Sequence, residues 1–247
     1  MKNRKHLYNT KSGKIFWFVK RFGVSQIFMK PLRMFFSPLI VPLLKKGKFI
    51  FENKEYSIFY DTYNTTWANE RAVEIPIIYE MIKKCNKKVL EIGNVLSHYY
   101  TATWDILDKF EKGEKIINKD IINFLPKRRY DLIVSISTFE HIGFDDDSSD
   151  KSYDRIMSAY ENIKNNCLNK KGKIVMTIPI GYNPDIDKII FDNEFKLDKQ
   201  KFLKRVSKRE WKEVKIEEAA KCRYGRPFPY ANAVMIGSYQ MKFKSKK

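Results

Sequence analysis

The chain has 247 residues, 43% of them apolar and 31% charged, with only ten Gly and nine Pro. That composition excludes disordered and collagen-like chains and supplies apolar mass for one folded domain with room for an extension. Forty-eight Lys and Arg against 29 Asp and Glu give a net charge of +19, an attraction for anionic surfaces, either nucleic acid or acidic lipid.

Residues 1–48 hold twelve Lys and Arg and no Asp or Glu, interleaved with Phe16, Trp17, Phe18, Phe22, Ile27, Phe28, Met29, Phe35 and Phe36. Phosphate binding alone does not require so many large apolar groups. The mixture fits an element in the headgroup region of an anionic membrane, or a helical layer packed on the main domain with its lysines in water. Residues 14–36 read as one or two short helices broken near Gly23 and Pro31. The longest apolar stretch, residues 34–44, is eleven residues long and is interrupted by Ser37, Pro38 and Pro42. A membrane-crossing helix needs ~20. No small-residue cleavage site follows the apolar residues 15–19, which argues against a secretory signal. Cys85, Cys167 and Cys222 form no CxxC pair, so the expected setting is a reducing cytoplasm, peripheral to the membrane through residues 1–48.

Residues 48–61 alternate around Glu52-Asn53-Lys54 and predict a hairpin. Residues 69–84 read as a helix capped from Thr66 or Asn69, with Pro76 as a restart point. From residue 87 the rhythm changes. Residues 87–92 (KKVLEI), 104–108, 115–118 and 130–135 (YDLIVS) predict strands, residues 153–168 an amphipathic helix, and residues 172–178 (GKIVMTI) a strand closed by Pro179. Residues 214–216 and 233–239 are expected as late strands. The expected organisation is a basic extension over residues 1–68, with helices and a hairpin, before an α/β domain over residues 69–247. Apolar strands alternating with helices predict a mostly parallel sheet covered on both faces.

Such sheets bind ligands beyond the carboxyl ends of their strands. Glu91, Gly93, Asn94 and His98 follow the first strand, Asp108 ends the second, and Asp120 follows the third. Ser137, Glu140, His141 and the acidic run from Asp145 to Asp147 follow the fourth. His98 and His141 then line one cleft beside Glu140, where an imidazole of pKa near ~6.5 suits proton removal at neutral pH. No His-x-x-x-His supports a metal site, and none is expected. Residues 63–67, 69–71 and 223–230 are dense in Arg, Tyr, Trp and amides, residue types that suit a sugar- or phosphate-bearing acceptor.

The segments VLEIG, KDIINF, YDLIVSISTFEHI and LNKKGKIVMTIPI occur in that order over roughly residues 87–180. Together they resemble class I S-adenosylmethionine-dependent methyltransferases. The resemblance implies a Rossmann-like, seven-stranded sheet with an antiparallel last strand, and S-adenosylmethionine as cofactor. It implies that Gly93, flanked by Glu91 and Asn94, lets the backbone approach the methionine and ribose. It further implies that Asp108 accepts the ribose hydroxyls, that Asp120 and Ile121 read the adenine, and that Ser137 lies beneath the sulfonium. The chain departs from the family's Gly-x-Gly-x-Gly loop, because Val95 and Ser97 stand where the second and third glycines are expected. Only ~15 residues separate Gly93 from Asp108, against ≈ 20 in the related dinucleotide fingerprint, so either the first crossover helix is short or the second strand lies elsewhere. The function implied is methyl transfer to a small-molecule, sugar or glycolipid acceptor, foremost O-methylation, with His141, Glu140 or His98 taking the proton. An RNA methyltransferase gripping phosphates with its basic N-terminus, and a non-catalytic methyltransferase-like binding module, use the same residues. No Asn/Asp-Pro-Pro-Tyr/Phe motif follows the fourth strand, which argues against methylation of base amino groups.

Overall fold

The computed structural model describes residue 19 and residues 24–44, 47–145 and 152–242. The expectations on the aromatic cluster of residues 16–18, on Phe22, on Asp146 and Asp147, and on a chain break at Gly23 lie outside the described residues. The first described helix, α1 (Ser25–Leu43), runs straight through Pro31, Pro38 and Pro42. The expected break at Pro31 is therefore absent. At 100° per residue the three prolines share one face of α1, and all three are exposed. Water takes the carbonyls their missing N–H groups leave free, so the usual cost of an internal proline falls.

Strands β1 (Lys48–Phe51) and β2 (Lys54–Ser57) form the expected antiparallel hairpin. Glu52 and Asn53 both adopt positive φ in its two-residue turn, the twist that matches paired strands. Phe49, Phe51 and Ile58 bury themselves in one core with Ile75, Ile77 and Ile78 of the next helix, α2 (Arg71–Lys84). Pro76 does not restart α2; the Ala72 carbonyl that its missing N–H would have served accepts the Phe59 N–H at 2.9 Å instead. The Asn69 Oδ1 accepts the Arg71 N–H at 3.0 Å, so of the two cap candidates Asn69 makes the bond.

The main sheet contains β3 (Val89–Ile92), β4 (Asp105–Leu107), β5 (Ile116–Ile117), β6 (Tyr130–Ile136), β7 (Leu168–Pro179), β8 (Lys199–Arg205), β9 (Trp211–Val214) and β10 (Ala233–Gln240). Its order is β5-β4-β3-β6-β7-β10-β8-β9. The pairs from β5 to β7 are parallel, and β10 is antiparallel to both β7 and β8. In order of appearance this is 3-2-1-4-5 followed by a reversed final strand, the doubly wound pattern with its switch between β3 and β6. The sheet exceeds the expected seven strands by β9, which pairs antiparallel with β8 at the edge. Neither β8 nor the helix α4 (Pro184–Phe191) is among the sequence-predicted elements, because Lys199, Lys201 and Lys204 mask the apolar alternation of an edge-side strand. The late strand expected at residues 214–216 is shifted: β9 ends at Val214, and Ile216 opens the short helix α5 (Ile216–Ala219).

Helix α3 (Ser152–Asn162) lies where expected but gives way to a wider π turn over Ile163–Cys167 before β7. Ile133, Ile156, Tyr160, Ile174 and Phe195 fill the core between this layer and the sheet, and the α2 core covers the opposite face. The crossover from β3 to β4 contains no helix at all, only a single 3₁₀ turn at Leu96–His98. Aromatic rings take its place against α2: Tyr79 stacks on Tyr100 at 3.6 Å between ring centres, and Trp104 meets Tyr79 edge-on at 6.4 Å.

Candidate functional site

Strand β3 ends at Ile92, and the chain must turn at once over the carboxyl edge of the sheet. Gly93 does so with φ +80, and a Cβ there would run into the Thr138 hydroxyl from the end of β6. Glycine is thus required by conformation and by the neighbouring strand, before any ligand is considered. Beneath the turn, the buried Glu91 carboxylate accepts the Val95 N–H at 3.0 Å, the Leu96 N–H at 2.7 Å and the Trp104 indole N–H at 2.7 Å. Burial pushes the Glu91 carboxyl above its ordinary value, and these three donors work against that shift. The pull draws Leu96 down into the α2 core, where it is fully buried, and leaves the space above Gly93 open.

That space is a cavity of about 640 Å³, within the ~300–1,000 Å³ of small-molecule sites. Gly93, Asn94, Val95, Asp108, Asp120, Ile121, Thr138, His141, Asp145 and Arg155 are among its walls. Five sequence-predicted cofactor residues, Gly93, Asn94, Asp108, Asp120 and Ile121, therefore meet on one void at the β3/β6 switch point. Glu91 supports the void from below and does not line it. Ser137 does not line it either; its neighbour Thr138 does.

Asp108 already accepts the Asn94 N–H at 3.1 Å on Oδ2, and the Phe110 and Glu111 N–H groups at 2.8 and 2.7 Å on Oδ1. A carboxylate offers about four lone-pair positions, so one remains for a ligand hydroxyl unless Asn94 yields. Asp120 accepts the Ile122 N–H at 3.0 Å and pairs with Lys109 at 3.1 Å and Arg155 at 3.0 Å. Burial alone would raise its pKa, but the Ile122 N–H and the two cations outweigh it and hold the carboxyl below the usual range.

A second, smaller cavity of about 160 Å³ opens beside the first. Its walls include Asn64, Asn69, Glu70 and Arg71 from before α2, Ser137 and Glu140 after β6, and Tyr182, Tyr224 and Tyr230. The outer segments at residues 63–67, 69–71 and 223–230 thus each contribute to one pocket. Ser137 holds a left-handed φ of +39, and its hydroxyl donates to the buried Glu74 Oε1 at 2.6 Å. Backbone strain of this kind persists only where surrounding structure imposes it. Phe139, fully buried edge-on to Phe195 at 6.3 Å, anchors the following turn at Phe139–His141. Asn183 Nδ2 donates to the Glu140 carbonyl at 2.9 Å while its Oδ1 caps α4, so that turn is fixed from two sides.

Glu140 is buried, one of its carboxylate oxygens has no hydrogen-bond partner, and burial pushes its pKa up to about 8. His141 bonds Asp145 through Nδ1, its Nε2 stands 3.6 Å from Glu140, and the Tyr182 hydroxyl donates to Asp145 at 2.6 Å. Burial opposes a charged imidazole, yet the Asp145 bond and the Glu140 charge prevail and raise the His141 pKa. Among the described residues, His141 is the one that lines both cavities.

His98 does not join it. The sequence expectation of two histidines in one cleft is corrected: His98 stacks on Tyr63 at 4.7 Å and lies 3.5 Å from Glu111, outside both cavities. The cause is the missing crossover helix, whose 3₁₀ substitute turns His98 away from the β6 side. Thr138, Lys109, Phe110 and Arg155 are wall residues that sequence reasoning did not single out. Thr138 and Phe110 stand one and two positions beyond residues it did, so proximity along the chain was their only signal. Among the described residues, no group of three His, Cys, Asp or Glu side chains could hold a metal ion.

No family model matches the chain, and no curated protein matches it. Solved structures similar in fold include the N-methyltransferase NodS from Bradyrhizobium japonicum WM9 in complex with S-adenosyl-L-homocysteine, at 11% identity over 71% of this chain and 94% of that one, TM-score 0.42. A TehB-like SAM-dependent methyltransferase from Corynebacterium glutamicum is 13% identical over 67% of this chain and 86% of its own, TM-score 0.38. The 1,6-didemethyltoxoflavin-N1-methyltransferase from Burkholderia thailandensis is 10% identical over 68% and 76%, TM-score 0.38. By its own strand order, with the switch between β3 and β6 and the reversed β10, the chain has the Rossmann-like fold of class I methyltransferases.

Proposed function

We propose that the protein is an S-adenosylmethionine-dependent methyltransferase acting on the hydroxyl of a small-molecule, sugar or lipid-borne acceptor. The observation that carries this reading is His141, held by Asp145, standing between a donor-sized cavity and an acceptor-sized one.

The residues present fit the cofactor. Gly93 lets the chain turn tightly against Thr138 and bares its backbone to the cavity, and Leu96 is drawn away from it into the core. Ile92, Leu107, Phe110, Ile121 and Ile142 give the cavity apolar walls for a flat base, and Asp108 keeps an acceptor position for a ribose hydroxyl. The larger side chains at the expected glycine positions leave the cradle clear, because Val95 forms a wall and the Ser97 hydroxyl is turned onto Asn94. When bound, the cofactor supplies an electrophilic methyl group on a sulfonium.

The chain's own work is to align and deprotonate the acceptor. With the Nδ1 proton directed at Asp145, the Nε2 lone pair of His141 is free to take the acceptor's proton. Glu140, next to it and short of a partner on one oxygen, receives a hydrogen bond from the acceptor. A pocket of about 160 Å³ admits the reacting end of a molecule only, so positioning against the donor cavity supplies much of the rate.

Titration calorimetry with S-adenosylhomocysteine tests the donor cavity. Binding is expected at micromolar ligand, weakened at least tenfold in Asp108→Ala by loss of a charge-assisted hydrogen bond (~1.5–3 kcal/mol). No heat at high micromolar ligand overturns the reading.

A further inference from the structure

Helix α1 is built the wrong way round for a helix whose outer face meets water. Val24 and, along α1, Phe28, Leu32, Phe35, Leu39 and Leu43 are all exposed, Phe35 by 76% and Leu43 by 82%. At 100° per residue these six fall within an arc of about 100°, beside the face that carries the three prolines. No charged residue interrupts the stripe. The two described polar side chains of α1 turn away from the stripe: Ser37 is fully buried and accepts the Trp67 indole N–H at 2.9 Å, and Arg33 is half-buried on the same side. A contiguous apolar face of this kind marks a contact surface.

Charge selects the occupant. Residues 1–48 carry twelve Lys and Arg and no acidic residue, and seven of the twelve precede the stripe within the first 23 positions. A protein partner covering the stripe requires only apolar complementarity, whereas an anionic bilayer uses the apolar face and the cations together. No described helix is long and apolar enough to cross a membrane, so α1 lies along the surface. We propose that α1 is an in-plane anchor that seats the protein on an anionic lipid bilayer.

The seat is coupled to the acceptor side of the molecule. The inner face of α1 packs on the turn at Tyr63–Ala68, and Asn64 of that turn lines the 160 Å³ pocket. Docking through α1 therefore brings the acceptor pocket toward the lipid headgroups. This goes beyond the methyl-transfer reading and stands without it, since the anchoring argument uses none of the donor-cavity residues.

The test is flotation of the full chain with vesicles of phosphatidylcholine alone and of phosphatidylcholine with about 30% phosphatidylglycerol. The protein is expected to float with the anionic vesicles at least tenfold more strongly than with the neutral ones, and to lose most of that binding at about 0.5 M salt. The combined Phe28→Glu, Phe35→Glu and Leu39→Glu variant alters exposed positions only, so its circular dichroism and its S-adenosylhomocysteine binding should match the parent. Its vesicle binding should fall at least tenfold. Equal flotation of parent and variant, or no flotation of the parent, overturns the proposal. So does a concentration-dependent dimer in sedimentation velocity that the variant abolishes without any vesicle binding by the parent, which would make the stripe a self-contact.

Discussion

In the proposed reaction His141 is the group that takes the acceptor's proton. Asp145 fixes its Nδ1 proton and the charges of Asp145 and Glu140 raise its pKa, so the imidazole stays protonated to a higher pH than an ordinary histidine. A base must be neutral to act. Activity should therefore rise with pH along a limb centred above the usual ~6.5 and level off on the alkaline side. Asp145→Asn removes the charge that raises the pKa, so the limb should move to lower pH while kcat falls. His141→Ala should cost 10²- to 10⁴-fold in kcat, by the usual worth of a positioned base. A pH–rate profile of the three proteins reads all of this, and an unshifted limb in Asp145→Asn would contradict the assigned pairing. Glu140 differs in kind: burial pushes its pKa up to about 8, so its charge, and the support that charge lends the imidazolium, develops only as the pH rises toward that value.

The unusual element is the link from β3 to β4, where a helix is replaced by one turn and a set of rings. Glu91 replaces the missing helix as organiser, collecting two backbone N–H groups and the Trp104 indole on one buried carboxylate. Trp104→Phe keeps most of the apolar area and the stacking partner but strips one donor from that carboxylate. Leaving a buried charged group a bond short costs about 1–3 kcal/mol. The urea midpoint should drop accordingly, with an unchanged slope. The same loss should weaken S-adenosylhomocysteine binding, because Glu91 holds Leu96 out of the donor cavity. A midpoint identical to the parent's would remove Glu91 from this role.

At the scale of the whole molecule, the sheet ties the two cavities to one rigid platform. Residues from β3, β4 and β6 reach the donor cavity, and residues from before α2, after β6 and before β10 reach the acceptor pocket. A ligand that fills the donor cavity of the folded state and not the unfolded chain stabilises the whole by mass action, ~2.7 kcal/mol at a hundred times its dissociation constant. For a chain of this size that corresponds to a rise in melting temperature of roughly 5–10 °C with S-adenosylhomocysteine, readable by scanning calorimetry. No shift at saturating ligand would count against a preformed site. The packing of α1 on the turn at Tyr63–Ala68 sets its exposed apolar stripe on the side of the molecule that holds the acceptor pocket.

The sequence alone determined the parallel strands β3 to β7 and the reversed β10, the hairpin at residues 48–57, and the carboxyl-edge positions of Gly93, Asp108, Asp120, Glu140 and His141. Each rests on local signals: short apolar runs closed by Gly or Pro, and acids placed just beyond them. Tertiary structure alone decided that α1 passes through three prolines, that rings replace the first crossover helix, and that His98 leaves the cleft while Thr138 enters it. Those outcomes depend on what lies across the fold. The stack of Tyr79 on Tyr100 and the Thr138 side chain against Gly93 are contacts between distant residues, which no window along the chain contains, and packing elsewhere leaves the proline face of α1 exposed.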